Sequence, residues 1–115
     1  MFLKIALLSA PYSVLTYQGL EAFPDDFWRP GLRVIVPLGR KNASWRSGIV
    51  VETSTENTLD AEISIKKVLW PLELQPFLTA DLLELMTEMA KRQGEALGQV
   101  ARAFLPLGLR NLSLV

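Results

Sequence analysis

Between Gly39 and Arg46 the chain reads GRKNASWR, which places three cations, Arg40, Lys41 and Arg46, beside the turn formers Asn42 and Ser44 and one large flat ring, Trp45. Guanidinium and ammonium groups neutralise phosphate, and an indole stacks on any base. Together they have the chemistry of a single-strand nucleic-acid contact. The same residues also describe a solvated turn whose indole folds back onto the body of the protein, and residue types alone leave both readings open.

Other chemistries are cut down by what the chain lacks. Its 115 residues contain no cysteine and no histidine. Disulfide scaffolds, thiol catalysis, the usual zinc sites and every triad with an imidazole base are excluded together. No GxxxxGK[ST] phosphate loop occurs, and the glycines from Gly94 to Gly108 read as helix punctuation. Asp25-Asp26 falls in a turn, and Glu84 with Glu88 lies one helical turn apart on a solvent face; both pairs read as solvated carboxylates. No catalytic residue, metal site or cofactor is expected, and this fragment is read as not an enzyme.

Formal net charge is zero, but it is unevenly distributed. From Phe27 to Val51 there are five cations, Arg29, Arg33, Arg40, Lys41 and Arg46, and no acid. That permits a local positive patch on a neutral protein, enough for a few phosphate contacts. Half the residues are apolar, as in a globular domain, and no apolar run approaches the roughly 18 residues of a membrane helix. The run Ile5–Leu8 is too short for a signal-peptide core of roughly 7 to 15 residues and reads as strand. A cytoplasmic protein with no membrane partner is expected, in keeping with the missing cysteines.

The elements that must position the cationic turn are strands. Leu32, Val34 and Val36 alternate with Arg33 and Ile35, and Ile49, Val50 and Val51 make Ser47–Glu52 a β-branched partner, so Leu32–Glu52 reads as a hairpin. Phe2–Leu8 and Val14–Gln18 read as two earlier strands, and Arg29-Pro30-Gly31 as a type II turn into the hairpin. The polar run from Thr53 to Glu62 reads as a mobile connection. A further strand ends at Trp70-Pro71, with Ile63, Ile65 and Leu69 inward and Lys66 outward.

After Thr79, an N-cap residue, the period becomes helical, with Leu82, Leu85, Met86 and Met89 on one face until Gly94. A second helix begins near Glu95, carries Leu97, Val100, Ala101 and Phe104, and ends at Pro106. The expected fold is α+β: a small antiparallel β-barrel or rolled sheet of about five to six strands followed by two α-helices. Residues 1–110 form one domain, with the β part at 1–71 and the helical part at 79–105; 111–115 are a tail whose end, Leu114-Val115, carries no stop-like feature.

These residues carry a resemblance. The stretch LRVIVPLGRKNASWRSGIVVE is similar to the RVxVPFG(K/R)…GIVV segment at the amino terminus of the PriA family of replication-restart helicases, also called primosomal protein N′. Leu15-Thr16-Tyr17 stands where that family usually has a Phe-Asp-Tyr-like triplet, Ile65-Lys66 leads to Pro76, and Phe104-Leu105-Pro106 resembles its terminal leucine-proline. Three positions depart from the pattern: Leu15 replaces an aromatic, Thr16 a carboxylate, and Lys91-Arg92-Gln93 a tyrosine-rich helix junction.

The resemblance implies a module that binds the 3′ end of the nascent leading strand at a stalled fork without base selectivity, ahead of an ATP-dependent motor. It implies a nucleic-acid-binding set of Leu15, Thr16, Tyr17, Gly39, Arg40, Lys41 and Lys66, in which Gly39 admits close backbone approach, Lys66 meets the last phosphate and Tyr17 stacks or donates a hydrogen bond. It also implies as partners DNA (a nascent 3′ end or a fork), the rest of the helicase chain, and primosomal and single-strand-binding proteins. Against it stand plain readings: Gly39 a turn glycine, Lys66 a solvated strand lysine, Tyr17 core. The alternative function is an SH3-like protein-interaction barrel anchored by Trp28, Trp45 and Trp70.

Overall fold

The computed structural model describes residues 1–39, 44–55, 65–73 and 78–104. Within them, β1 (Phe2–Leu7), β2 (Val14–Gln18), β3 (Arg33–Leu38), β4 (Ser44–Ser54) and β5 (Trp70–Pro71) precede α1 (Ala80–Gln93) and α2 (Leu97–Phe104). The strands form one antiparallel sheet of order β2-β1-β4-β3-β5, which is not a closed barrel. The fold is α+β, a rolled sheet followed by two helices. No helix among the described residues is long and apolar enough to cross a membrane.

The sheet rolls because both of its faces are apolar, each covered by a different layer. Leu3, Ile5, Leu7, Tyr17, Val34, Val36 and Val50 point into the roll with Leu32 and Val68, and Trp28 plugs the interior. Ile49 of β4 and Leu8, which follows β1, point outward to meet Leu83, Met86, Ala90, Val100 and Ala101 of the helices. Each fully buried Leu, Ile or Val contributes roughly 1.5–3 kcal/mol, so the two layers lock the inward–outward register of every strand. Register shifts between Lys4 and Ile5, where Lys4 faces Glu52 but Ile5 faces Val50, a bulge that bends β4 over the roll.

Most expected elements are present: β2 has the expected bounds, and Leu32 N–H bonds to Arg29 C=O at 3.2 Å with Gly31 at φ 96°, as a Pro-Gly type II turn requires. The strand before Pro71 differs. Val68 and Pro71 are buried while Leu69 and Trp70 are exposed, not Leu69 inward as alternation predicts. Leu69 N–H bonds to Ile35 C=O and Leu72 N–H to Arg33 C=O, so three residues span what two span on β3. That extra residue is a bulge, and it breaks the period of two. Ile63 and most of the polar connection lie outside the described residues, as do Pro76 and Pro106.

Helix α1 starts where Thr79 accepts a hydrogen bond from Leu82 N–H at 3.2 Å and stops at Gly94, left-handed at φ 66°, whose N–H caps Ala90 and Lys91 carbonyls. Its buried stripe is Leu83, Met86 and Ala90, flanked by Leu82 and Met89; Leu85, expected inside, is exposed. At 100° per residue Leu85 lies about 200° from Leu83, on the opposite side of the helix.

Gly98 does not punctuate a helix but lies within α2, pressed on the Leu7 carbonyl so closely that an added Cβ would overlap the oxygen. Alanine is favoured over glycine inside a helix by about 0.8–1.0 kcal/mol, whereas overpacking against a backbone atom costs about 1–3 kcal/mol or more. Gly98→Ala is therefore expected to destabilise by about 1–2 kcal/mol net, read as a lower urea midpoint. An unchanged or raised midpoint would show that α2 is not seated on β1.

Candidate nucleic-acid interface

The two edge strands of the sheet meet at one end of the roll. Gln18 N–H bonds to Lys66 C=O at 2.9 Å, and Val68 N–H to Gln18 C=O at 2.9 Å, in a single parallel bridge between β2 and the segment that leads into β5. Inside the roll, the Tyr17 hydroxyl donates to the Pro37 carbonyl at 2.8 Å, linking β2 to β3, which are not neighbours in the sheet. Burial also pushes the Tyr17 phenol above its ordinary value of 10.0, because the phenolate would be poorly solvated there.

These ties bring Lys66 to Gly39. Its ammonium donates to the Gly39 carbonyl at 2.5 Å, across 27 residues of sequence. Gly39 follows β3 at φ 86°, a left-handed conformation that suits glycine, and a Cβ there would meet nothing within 4 Å among the described residues. Since a lysine ammonium has three donors, the Gly39 carbonyl leaves the others for a ligand.

The remaining expected residues divide by face. Leu15 and Tyr17 belong to the inner layer, Leu15 partly buried and Tyr17 only 3% exposed. Tyr17 thus presents no ring for a base to stack on; its hydroxyl and ring are core. Thr16 lies opposite Lys4 with its side chain on the outer face, in a depression of about 80 Å³ shared with Lys4 and Glu52. That volume is well below the roughly 300 Å³ at which small-molecule pockets begin. The Thr16 peptide points elsewhere. Gln18 uses its N–H and C=O away from β1, and in an antiparallel pair residues two apart share that direction, so the Thr16 N–H and C=O face the free edge of β2, on the side of Lys66. Arg40 and Lys41 lie outside the described residues.

Arg46, one of the three cations of the GRKNASWR stretch though outside the set the resemblance implies, is placed by register. It lies opposite Val36, in the inward-facing row of β4, and its guanidinium donates to the Trp45 carbonyl at 2.8 Å. Lys4 pairs with Glu52 at 3.3 Å, Lys67 with Glu21 at 3.9 Å, and the nearly buried Arg33 with Glu73 at 2.7 Å, whereas Lys66 and Arg46 rest on neutral carbonyls. A charge held by a carbonyl dipole is not cancelled and stays available to a phosphate. A larger hollow of about 400 Å³ beside α1 is lined by Glu84 and Glu88 with Lys91, a poor setting for an anion. No cluster of carboxylates that could hold a metal occurs among the described residues.

The three-tryptophan anchor does not exist as a surface. Trp28 is 2% exposed and packed edge-on against Phe23 and Phe27. Trp45, at 60% exposure, is turned out and does not fold back onto the sheet.

The Tyr17 bond offers a direct test of the roll. Tyr17→Phe leaves the Pro37 carbonyl without its partner and is expected to cost about 1–2 kcal/mol in urea unfolding at pH 7. Because the folded-state phenol titrates above its unfolded value, its contribution is complete below about pH 10 and is lost as pH rises toward the folded-state value. Stability should therefore fall more steeply from pH 9 to pH 11 in the parent than in Tyr17→Phe. Parallel curves would remove Tyr17 from the interior.

No curated protein matches the chain. A family model does match, that of the PriA 3′ DNA-binding domain (3′BD), over residues 4–106, a span that takes in β2, the Gly39 turn, Lys66 and both helices. With that match over most of its length, the chain belongs to the PriA 3′ DNA-binding domain family, the DNA-binding modules of the replication-restart primosome.

Proposed function

We propose that this chain holds the 3′ end of a DNA strand without reading its base, as the nascent-strand module of a cytoplasmic replication-restart helicase. The observation that carries the reading is the contact between Lys66 and Gly39, which joins a cation to a glycine with no Cβ just past the end of β3. The terminal nucleotide lies over Gly39. Lys66 takes its phosphate, the partly buried Leu15 supports the sugar, and the Thr16 peptide at the free edge of β2 bonds the sugar hydroxyl in place of a side-chain carboxylate. Tyr17 acts from below, fixing β2 against β3 through Pro37. Arg40 and Lys41, next in sequence after Gly39, add charge for the phosphates that precede the terminal one.

Every contact in this arrangement goes to sugar or phosphate, which all nucleotides share, so the site distinguishes an end and not a sequence. Zero net charge keeps non-specific affinity low, and the rest of the helicase, primosomal proteins and single-strand-binding proteins would supply the remaining contacts at a fork.

Fluorescence anisotropy with 5′-labelled oligonucleotides tests the reading. A free 3′-hydroxyl is expected to bind more tightly than a 3′-phosphate, whose added charge and bulk do not fit against the β2 edge. Lys66→Ala should weaken binding and make the salt slope shallower by about 0.7, the value for one single-strand phosphate contact. Equal affinity for the two ends would defeat end recognition, and an unchanged slope would remove Lys66 from the site.

A further inference from the structure

The indole of Trp45 has no role in the site just described, yet it is the most exposed large hydrophobic residue among those described. The three tryptophans have different fates. Trp28 is buried in the inner layer, and Trp70, although 57% exposed, meets Phe23 edge-on with ring centroids 5.4 Å apart. Trp45 has no ring partner among the described residues. A strand position that keeps an indole in water forgoes the burial that would favour it, so a free ring beside a charged rim calls for a ligand with a flat apolar face.

Its location identifies that ligand. Trp45 lies directly opposite Pro37, two residues before Gly39 on the neighbouring strand. With about 3.4 Å of rise per residue and about 4.8 Å between strands, the Trp45 and Gly39 Cα atoms are about 8 Å apart. By parity with Ile49, Trp45 projects from the outer face of β4, whereas Ser44 and Arg46 on either side of it belong to the inward row. The platform is braced from both sides. Pro37 beneath it has a locked φ and its carbonyl bound by Tyr17, and the Trp45 carbonyl is held by the Arg46 guanidinium. A DNA strand leaving Gly39 over this rim passes Arg46 and then the indole.

We propose that Trp45 is a stacking platform for the base next to the 3′-terminal one, with Arg46 sharing with Lys66 the phosphate that joins the two nucleotides. This rests on the 3′-end reading above. It divides the interface in two: a terminal subsite that reads the end through Gly39 and Lys66, and a second subsite that supplies affinity by stacking and is indifferent to base identity.

The test uses 5′-labelled thymidine oligonucleotides with a free 3′-hydroxyl, either intact or with an abasic residue second from the 3′ end, titrated against the chain and its Trp45→Ala and Trp45→Phe variants. One lost stack corresponds to about a 5- to 150-fold weakening. The abasic substitution is expected to weaken the parent by that much and to leave Trp45→Ala nearly unaffected, since its stack is already gone; Trp45→Phe should retain most of the affinity. Trp45→Ala should still prefer a 3′-hydroxyl to a 3′-phosphate. If the parent discriminates between the two ends but the abasic position and Trp45→Ala each change nothing, or their losses simply add, the stacking proposal is overturned and end recognition stands. If the parent itself does not distinguish the ends, the terminal subsite fails and this inference fails with it.

Discussion

Everything at the candidate site hangs on the closure of a sheet that does not fully close. Two backbone hydrogen bonds between Gln18 and the Lys66–Val68 segment, and one buried bond from Tyr17 to Pro37, hold the edges of a five-stranded sheet together. Individually such bonds are worth about 1 kcal/mol net, and the one from Tyr17 is buried, where an unpaired group would be penalised. An edge strand normally offers its unpaired amides to any partner. Here β2 is paired at Gln18 and leaves Thr16 facing the gap, so partial closure itself leaves a short main-chain edge unpaired.

The two apolar layers explain why that edge stays in place. The inner layer, plugged by Trp28, sets the diameter of the roll, and the outer layer anchors the sheet to the helices through Ile49, Leu8 and the close seat of Gly98 on Leu7. Polar groups within these layers are matched: Tyr17 has its carbonyl and Arg33, nearly buried, has the carboxylate of Glu73 in a two-point contact. No buried side-chain nitrogen or oxygen lacks a partner among the described residues. The framework is satisfied internally, and the functional groups are the ones it leaves facing out.

Charge follows the same division. Pairing Lys4 and Lys67 with carboxylates removes their fields from the surface at little net stability, since exposed pairs are worth under about 1 kcal/mol, and the nearly buried Arg33 is neutralised by Glu73. Lys66 and Arg46 are held by carbonyls, so the rim keeps its positive charge although the chain as a whole has none. The local positive charge thus follows from where the carboxylates are, not from how many there are.

Much of this was legible in the residues. Alternation marked β1 to β4, the Pro-Gly turn at Pro30-Gly31 and the Thr79 and Gly94 caps marked boundaries, and the missing histidine and cysteine excluded most catalytic chemistry, because these signals are local and depend on a residue's own backbone and neighbours. The bulge before Pro71, the exposure of Leu85 and the burial of Trp28 were not legible. Each depends on which distant surface packs against the element: Arg33 and Ile35 for the bulge, the Ile49 layer for the helix stripe, the interior of the roll for Trp28. The chain's own residues determined its class, its strands and helices, and the cations and ring that a DNA strand would need. Only the tertiary structure decided that Lys66 lies on Gly39, that Tyr17 is spent inside and Trp45 is free outside, because those outcomes are set by how far a twisted sheet rolls before its edges meet.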